Sequence, residues 1–392
     1  MKCIWDLSKL SAVPRIWNAE DAVKCDEDEK VFFTEGNDPG KRPAGVSAIW
    51  YESERYHKKK TRVFAWLGIP KITGTKKIPG VVLVHGGGGT AFAQWVHLWN
   101  NRGYAAIAID TEGHVPCAKE YSKWNQHKYS GPSIDNVFDN IDLPLKDQWT
   151  YHAVSAVIRG HSLLRSLPQV DVKRIGVCGI SWGGYLACIS MGLDKRFRFA
   201  VPIYGCGYLG EESIVTAELN KLGEKRRSKW FKCWDPSNYI PNAKLPTLWV
   251  TGSNDVAYSL GIVNHSYHIH GGKPTLSIGI RYGHSHESGW KRQESFAFAD
   301  SCSGKGKPLI RIMKYGRENN KAFIVFNTQT GLKRVTLCYT NDEGKWKDRY
   351  WRTRKAIIKS DIASSIVLPE AKACFFNIVN AEGLIVSSPL IY

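Results

Sequence analysis

Gly179-Ile180-Ser181-Trp182-Gly183-Gly184 is the stretch that decides how this chain is read. It follows residues 174–178, whose composition predicts a strand, and opens residues 182–191, whose pattern predicts a helix. A turn that tight between strand and helix leaves no room for side chains on either flank, and Gly179 and Gly183 meet that demand. Ser181 is thereby pushed clear of the sheet, where the start of the helix favours negative charge near its oxygen. A serine so placed suits a nucleophile.

The same strand–helix rhythm extends in both directions. Upstream, residues 44–53 and 61–68 predict strands, and Val81-Val82-Leu83-Val84 is the short apolar run of a strand buried on both faces. A helix over 92–102 and a strand over 104–109 follow. Downstream of a helix over 147–167, ended by Pro168, come the Ser181 turn and strands over 199–203, 248–250 and 276–280. Strands alternating with helices predict a mostly parallel sheet covered on both faces. Residues 111–144 lack periodicity and predict a long functional loop, a lid or acceptor wall, with a second insertion over 210–242.

After Asp300 the character changes. Ser303-Gly304-Lys305-Gly306-Lys307 is expected to be a flexible linker. Short β-type runs at 322–326, 335–339, 356–358, 365–367, 374–378 and 384–386 then predict an all-β sandwich of immunoglobulin or fibronectin type. The expected division is a catalytic domain over 1–302 and an accessory domain over 303–392.

Ester cleavage needs more than a nucleophile. A developing oxyanion needs backbone donors, for which the N–H of Trp182 and that of Gly87, in His85-Gly86-Gly87-Gly88-Gly89, are the expected pair, with the choice among the four glycines open. The glycine run lacks the Lys-Ser/Thr ending of a phosphate loop. An acid should follow a late strand, and Asp255 in Thr251-Gly252-Ser253-Asn254-Asp255 fits, with Glu211 or Glu212 as fallback. A base should follow the last strand, and Tyr282-Gly283-His284-Ser285-His286 supplies His284, leaving His286 to shape the pocket or pack locally. Two histidines without a third or fourth ligand nearby argue against zinc, so no metal is expected.

Composition bounds the remaining choices. The 54 Lys and Arg exceed 36 Asp and Glu by 18. Residues 303–392 hold 16 of those cations against 7 acids, half the excess. The default is a solvated basic face; an acidic polysaccharide is the partner it would suit. No nucleic-acid-binding signature accompanies the charge, and no apolar window approaches a membrane span. The ten cysteines are scattered without a CxxC pair, and the first residues lack the pattern of a secretory leader, so a reduced, cytoplasmic protein is expected.

Taken together, HGGGG at 85–89, GISWGG at 179–184, NDVAY at 254–258 and GHSHESGW at 283–290 resemble the acetyl xylan esterase and dienelactone-hydrolase-like branch of the α/β hydrolases. The resemblance covers roughly residues 1–300, and the trailing β unit is similar to accessory domains of some members. It implies hydrolysis of small acyl esters, often acetyl groups on carbohydrate, without metal or cofactor. Dienelactone hydrolases proper use cysteine where this chain has Ser181, which favours ester over lactone chemistry. A peptidase or acyltransferase using the same three residues stays open.

Overall fold

The computed structural model describes residues 4–71 and 74–392. Its central strands are β1 (Ile16–Asn18), β2 (Val46–Glu52), β3 (Arg62–Gly68), β4 (Ile78–Val84), β5 (Ala105–Ile109), β6 (Val170–Ile180), β7 (Phe199–Ile203), β8 (Leu248–Gly252) and β9 (Thr275–Gly279). From β5 through β4, β6, β7 and β8 to β9 every neighbouring pair is parallel. The strands β1, β2 and β3 add an antiparallel edge beyond β5.

Helices cover both faces of this sheet, and the shorter α1 (Leu7–Ser11), α7 (Leu260–His268) and α8 (His286–Trp290) accompany them. The helices α3 (Trp149–Ser166) and α4 (Trp182–Leu193) pack on β4 and β6. On the other face α2 (Ala93–Asn100) lies on β3 and β5, and α9 (Gln293–Cys302) on β7 and β8. Burial on both faces is why β4 reads as a continuous apolar run: Val81, Val82, Leu83 and Val84 are each fully buried. Each such side chain contributes about 1.5–3 kcal/mol relative to an exposed one. Parallel strands put the loops after β4, β6, β8 and β9 at one edge of the sheet, where ligands bind in this architecture.

The C-terminal strands are β10 (Arg311–Glu318), β11 (Lys321–Asn327), β12 (Leu332–Thr340), β13 (Arg352–Lys355), β14 (Ile357–Lys359), β15 (Ile362–Ile366), β16 (Ala373–Asn380) and β17 (Ile385–Ser387). They form two layers enclosing a core that includes Ile324, Phe326, Leu337, Phe376 and Ile378. One layer, β10-β11-β15-β14, stands alone. The other is joined to the catalytic sheet: β17 pairs antiparallel with β9, and β16, β12 and β13 continue outward, so thirteen strands of the described residues form one sheet. On its second face Cys338, Trp351 and Phe375 pack with Leu260 and Ile278 of the catalytic part.

Two expectations need correction. The stretch after α9 is not a free linker: Ser303 is buried, and the Lys305 ammonium lies 4.6 Å above the Tyr104 ring and 3.6 Å from Asp300. The glycines that suggested flexibility instead let the chain turn closely against α9. The cysteines are not all reduced either. Among the described residues Cys25 and Cys117 form a disulfide, while Cys178, Cys188, Cys206, Cys233, Cys302, Cys338 and Cys374 are free; Cys3 lies outside them. Cys117 lies in the two-residue ladder Cys117–Ala118 with Lys30–Val31, which brings the irregular segment holding Cys25 beside it, and spacing in the sequence carries no trace of that meeting.

Candidate active site

Ser181 sits between β6 and α4 with φ 56° and ψ −118°, a conformation unfavourable for a residue with a Cβ. The turn is fixed by backbone: Ser181 N–H donates to Ile203 O at 2.8 Å, and Tyr185 N–H to Ser181 O at 2.9 Å. A Cβ on Gly179 would strike the Gly183 carbonyl, and one on Gly183 would strike the carbonyls of Val84 and His85. The glycine spacing is thus a packing requirement as well as a motif.

His284, on the loop after β9, meets both expected partners. Its Nε2 is 2.9 Å from Ser181 Oγ, and its Nδ1 is 2.9 Å from Asp255 Oδ2. Asp255 follows β8 and is buried, with Oδ1 accepting the amides of Ala257 and Tyr258, both at 2.8 Å. This leaves Oδ2 for the imidazole. The Tyr204 ring packs on His284 at 4.6 Å, and its hydroxyl donates to Gly283 O at 2.8 Å. The fallback acids are engaged elsewhere: Glu211 pairs with His265 at 2.8 Å, and Glu212 accepts the amide of Trp346 at 2.8 Å.

The glycine loop after β4 narrows the choice of donors. Gly86 N–H donates to His286 Nε2 at 2.8 Å, and Gly89 N–H to Gly86 O at 3.1 Å. Gly87 and Gly88 keep amides without partners among the described residues. Gly87 adjoins Trp182, whose indole Cδ1 would be 2.7 Å from a Cβ there. Trp182 opens α4, so its own N–H has no partner in the helix.

Several residues around the site have no sequence signal. Glu35 accepts His286 N–H at 3.0 Å and that of Glu287, and approaches His286 Nδ1 at 3.3 Å. Burial pushes the Glu35 carboxyl up, but those hydrogen bonds outweigh it and hold it below its ordinary value. Burial lowers His286, with Glu35 opposing, so the ring is held neutral and can accept from Gly86. His286, expected to shape the pocket or pack locally, holds the glycine loop through this bond. Beneath that loop Asp110 pairs with His85 at 3.6 Å; burial raises the carboxyl and the imidazole more than offsets it, to about 2. Glu35 lies 251 residues from its partner in an aperiodic loop, which no local pattern reveals.

A cavity of about 450 Å³ opens beside Gly87 and Trp182. Its lining includes Asp135, Phe138 and Asp139 together with Glu218, Lys221 and Arg226. These belong to the two insertions expected over 111–144 and 210–242, the second of which folds as α5 (Thr216–Lys221) and α6 (Gly223–Trp234). Its volume suits a small molecule. Among the described residues no group of three or more His, Cys, Asp or Glu is gathered as for a metal ion.

Residues 44–248, just over half of the chain, match the family model described as acetyl xylan esterase (AXE1). Among solved structures the chain is similar to the acetyl xylan esterase from Paenibacillus sp. R4, with TM-score 0.55 and 20% identity, over 76% of this chain and 99% of that one. It is similar also to acetyl xylan esterase 1 from Thermoanaerobacterium sp. JW/SL YS485, with TM-score 0.54 and 17% identity, over 76% and 94%. At these identities the likeness shows the fold. In sequence it is similar to the uncharacterized peptidase YuxL of Bacillus subtilis (strain 168), 25% identical over 213 residues; the match takes in 49% of this chain and spans only 28% of that relative. The family match includes Ser181 and the glycine loop and ends before Asp255 and His284, whose placement rests on the distances above. With a mostly parallel sheet, a serine at the turn after its central strand and that match, the chain belongs to the acetyl xylan esterase family of the α/β-hydrolase superfamily and is a serine hydrolase.

Proposed function

We propose that the chain is a serine carboxylesterase that removes small acyl groups, acetyl foremost, from alcohols that include carbohydrate. The observation that carries this reading is the hydrogen-bonded series Ser181–His284–Asp255, 2.9 Å at each step, beside a small-molecule cavity. In this reading Ser181 Oγ attacks the ester carbonyl as His284 Nε2 takes its proton. Asp255 orients the ring and stabilises its cation. The amides of Trp182 and Gly87 hold the oxyanion, the alcohol leaves with the proton from His284, and water activated by the same base frees the acid.

Turnover of p-nitrophenyl acetate by the wild type, lost by a factor of about 10⁴–10⁶ in Ser181→Ala, is the expected result. A serine-directed phosphonate should label Ser181. Turnover near wild type in that variant would overturn the assignment. The peptidase names of relatives favour one second reading, which faster cleavage of an aminoacyl p-nitroanilide than of acetyl and longer acyl esters would establish.

An acidic polysaccharide has one supporting feature, a crevice of about 730 Å³ between the catalytic part and β10. Arg198, Lys273 and Arg311 line it with Tyr267 and Tyr315, and no carboxylate of the described residues does. Salt-sensitive retention on a uronic-acid polymer, lost in Lys273→Ala/Arg311→Ala, is the expected behaviour. As to compartment, no helix of the described residues is long and apolar enough to cross a membrane. The Cys25–Cys117 bridge favours an oxidising environment over the expected cytoplasm.

A further inference from the structure

We propose that the loop between β12 and β13, residues 341–351, is a positioning element of the active site: it holds the loops that carry Asp255 and His284, acting through Asn254 and Glu212. This rests on the reading of Ser181, His284 and Asp255 as a triad.

Asn254 immediately precedes Asp255. Its side-chain amide donates to Arg349 O at 2.7 Å and Lys347 O at 3.0 Å, with Trp346 O at 3.4 Å. Its Oδ1 accepts from Ser253 Oγ at 2.7 Å, and the same Ser253 oxygen accepts the Arg281 amide at 3.0 Å. Arg281 begins the loop that carries His284, and its guanidinium lies over the Tyr350 ring at 4.6 Å. One C-terminal loop therefore grips the acid loop through Asn254 and the base loop through Tyr350. A third hold comes from Glu212, which accepts the Trp346 amide at 2.8 Å, while neighbouring Ile214 N–H donates to Ala257 O at 2.8 Å. The loop is firm enough for the task. Trp346 is buried against Gly261, where a Cβ would sit 2.6 Å from its indole nitrogen, and Arg349 stacks on it at 3.7 Å while donating to Gly344 O.

Asp255 and His284 stand on loops, whose backbone drifts unless tied down. A displacement of about 1 Å at a reacting group can cost about 10²-fold in rate. Holding such side chains by fixed outer contacts is how sites reach working precision. Neither Asn254 nor the loop reaches Ser181 or the cavity lining, so the effect is on position.

The test uses the full chain, with turnover expressed per phosphonate-titrated site so that misfolded protein is not counted. Asn254→Ala is expected to lower kcat on p-nitrophenyl acetate about 10- to 100-fold with KM nearly unchanged. The downfield proton resonance of the His284–Asp255 hydrogen bond should broaden or disappear. Glu212→Ala should move both readouts in the same direction, and Glu212→Gln, which keeps an acceptor for Trp346, should restore them. If Asn254→Ala does not fold, the Glu212 pair decides. Wild-type kcat per site and an unchanged resonance in the alanine variants would overturn the proposal while leaving the esterase reading intact. Failure of the phosphonate to label Ser181 in the wild type would remove the triad, and this proposal with it.

Discussion

At Ser181 two costs compete, and their sizes predict a measurable sign. The positive φ is strain of about 1–3 kcal/mol for a residue with a Cβ, whereas glycine adds unfolded-state entropy worth about 0.5–1 kcal/mol. Ser181→Gly should therefore be inactive yet more stable than Ser181→Ala by about 1 kcal/mol in denaturant melts. Glu112 offers a second test. Its carboxyl is buried with Oε1 unpartnered among the described residues, and burial, aided by Asp110 and Asp135 against His85, raises it to about 8 from 4.5. The folded state thus keeps a proton that the unfolded chain has released. Stability from this group is full below about pH 4.5 and is lost as pH rises through about 8. Glu112→Gln, a neutral isostere, should stabilise by about 1–3 kcal/mol at pH 9 and by less at pH 5, read as Tm across pH. At this scale the meeting of Ser181, Asp255 and His284, the proposed nucleophile, acid and base, was legible because a sharp turn demands glycine and strand order brings the later loops to the same edge. Glu35 and Asn254 were not, since what they do is set by partners far away in sequence.

Among the elements, legibility followed burial. The strands β4, β5 and β7 are apolar throughout and read correctly to within a few residues. The strand β6 runs four residues further back than residues 174–178 suggest, because its first half carries Asp171, Lys173 and Arg174 at the sheet's lower end. The 111–144 stretch holds only two-residue ladders and 3-10 turns, elements too short to leave a period in sequence. What ties one end of it down is covalent. The Cys25–Cys117 bond closes a separation of 92 residues, so Cys25→Ser should cost about 2–4 kcal/mol in chemical denaturation. Under the same conditions a reductant should lower the wild type to the level of the variant, and a wild type indifferent to reductant would show the thiols to be unpaired.

For the whole molecule, the sequence announced two compositions and left their junction unread, because a single antiparallel pairing between β9 and β17 has no local signature. That junction decides what truncation does. A chain ending near Asp300 would leave β9 as an open edge and bare Leu260 and Ile278, which now pack against Phe375 and Trp351. It would also strand Ile278 N–H and O, which bond Ser387 Oγ and the Asn377 side chain. We expect such a chain to be insoluble, or to bind a hydrophobic dye strongly and melt well below the full protein. A soluble fragment with wild-type turnover per site would show the β unit to be an appendage.

A sheet of thirteen strands still has to stop. At its C-terminal end it stops on β13, whose sequence is Arg352-Thr353-Arg354-Lys355. An uncovered row of amides and carbonyls invites a second copy of itself, and three cations in four residues make that approach repulsive. Part of the positive excess of the C-terminal region is therefore accounted for without any ligand, as colloidal protection that keeps one long ribbon from growing into a longer one.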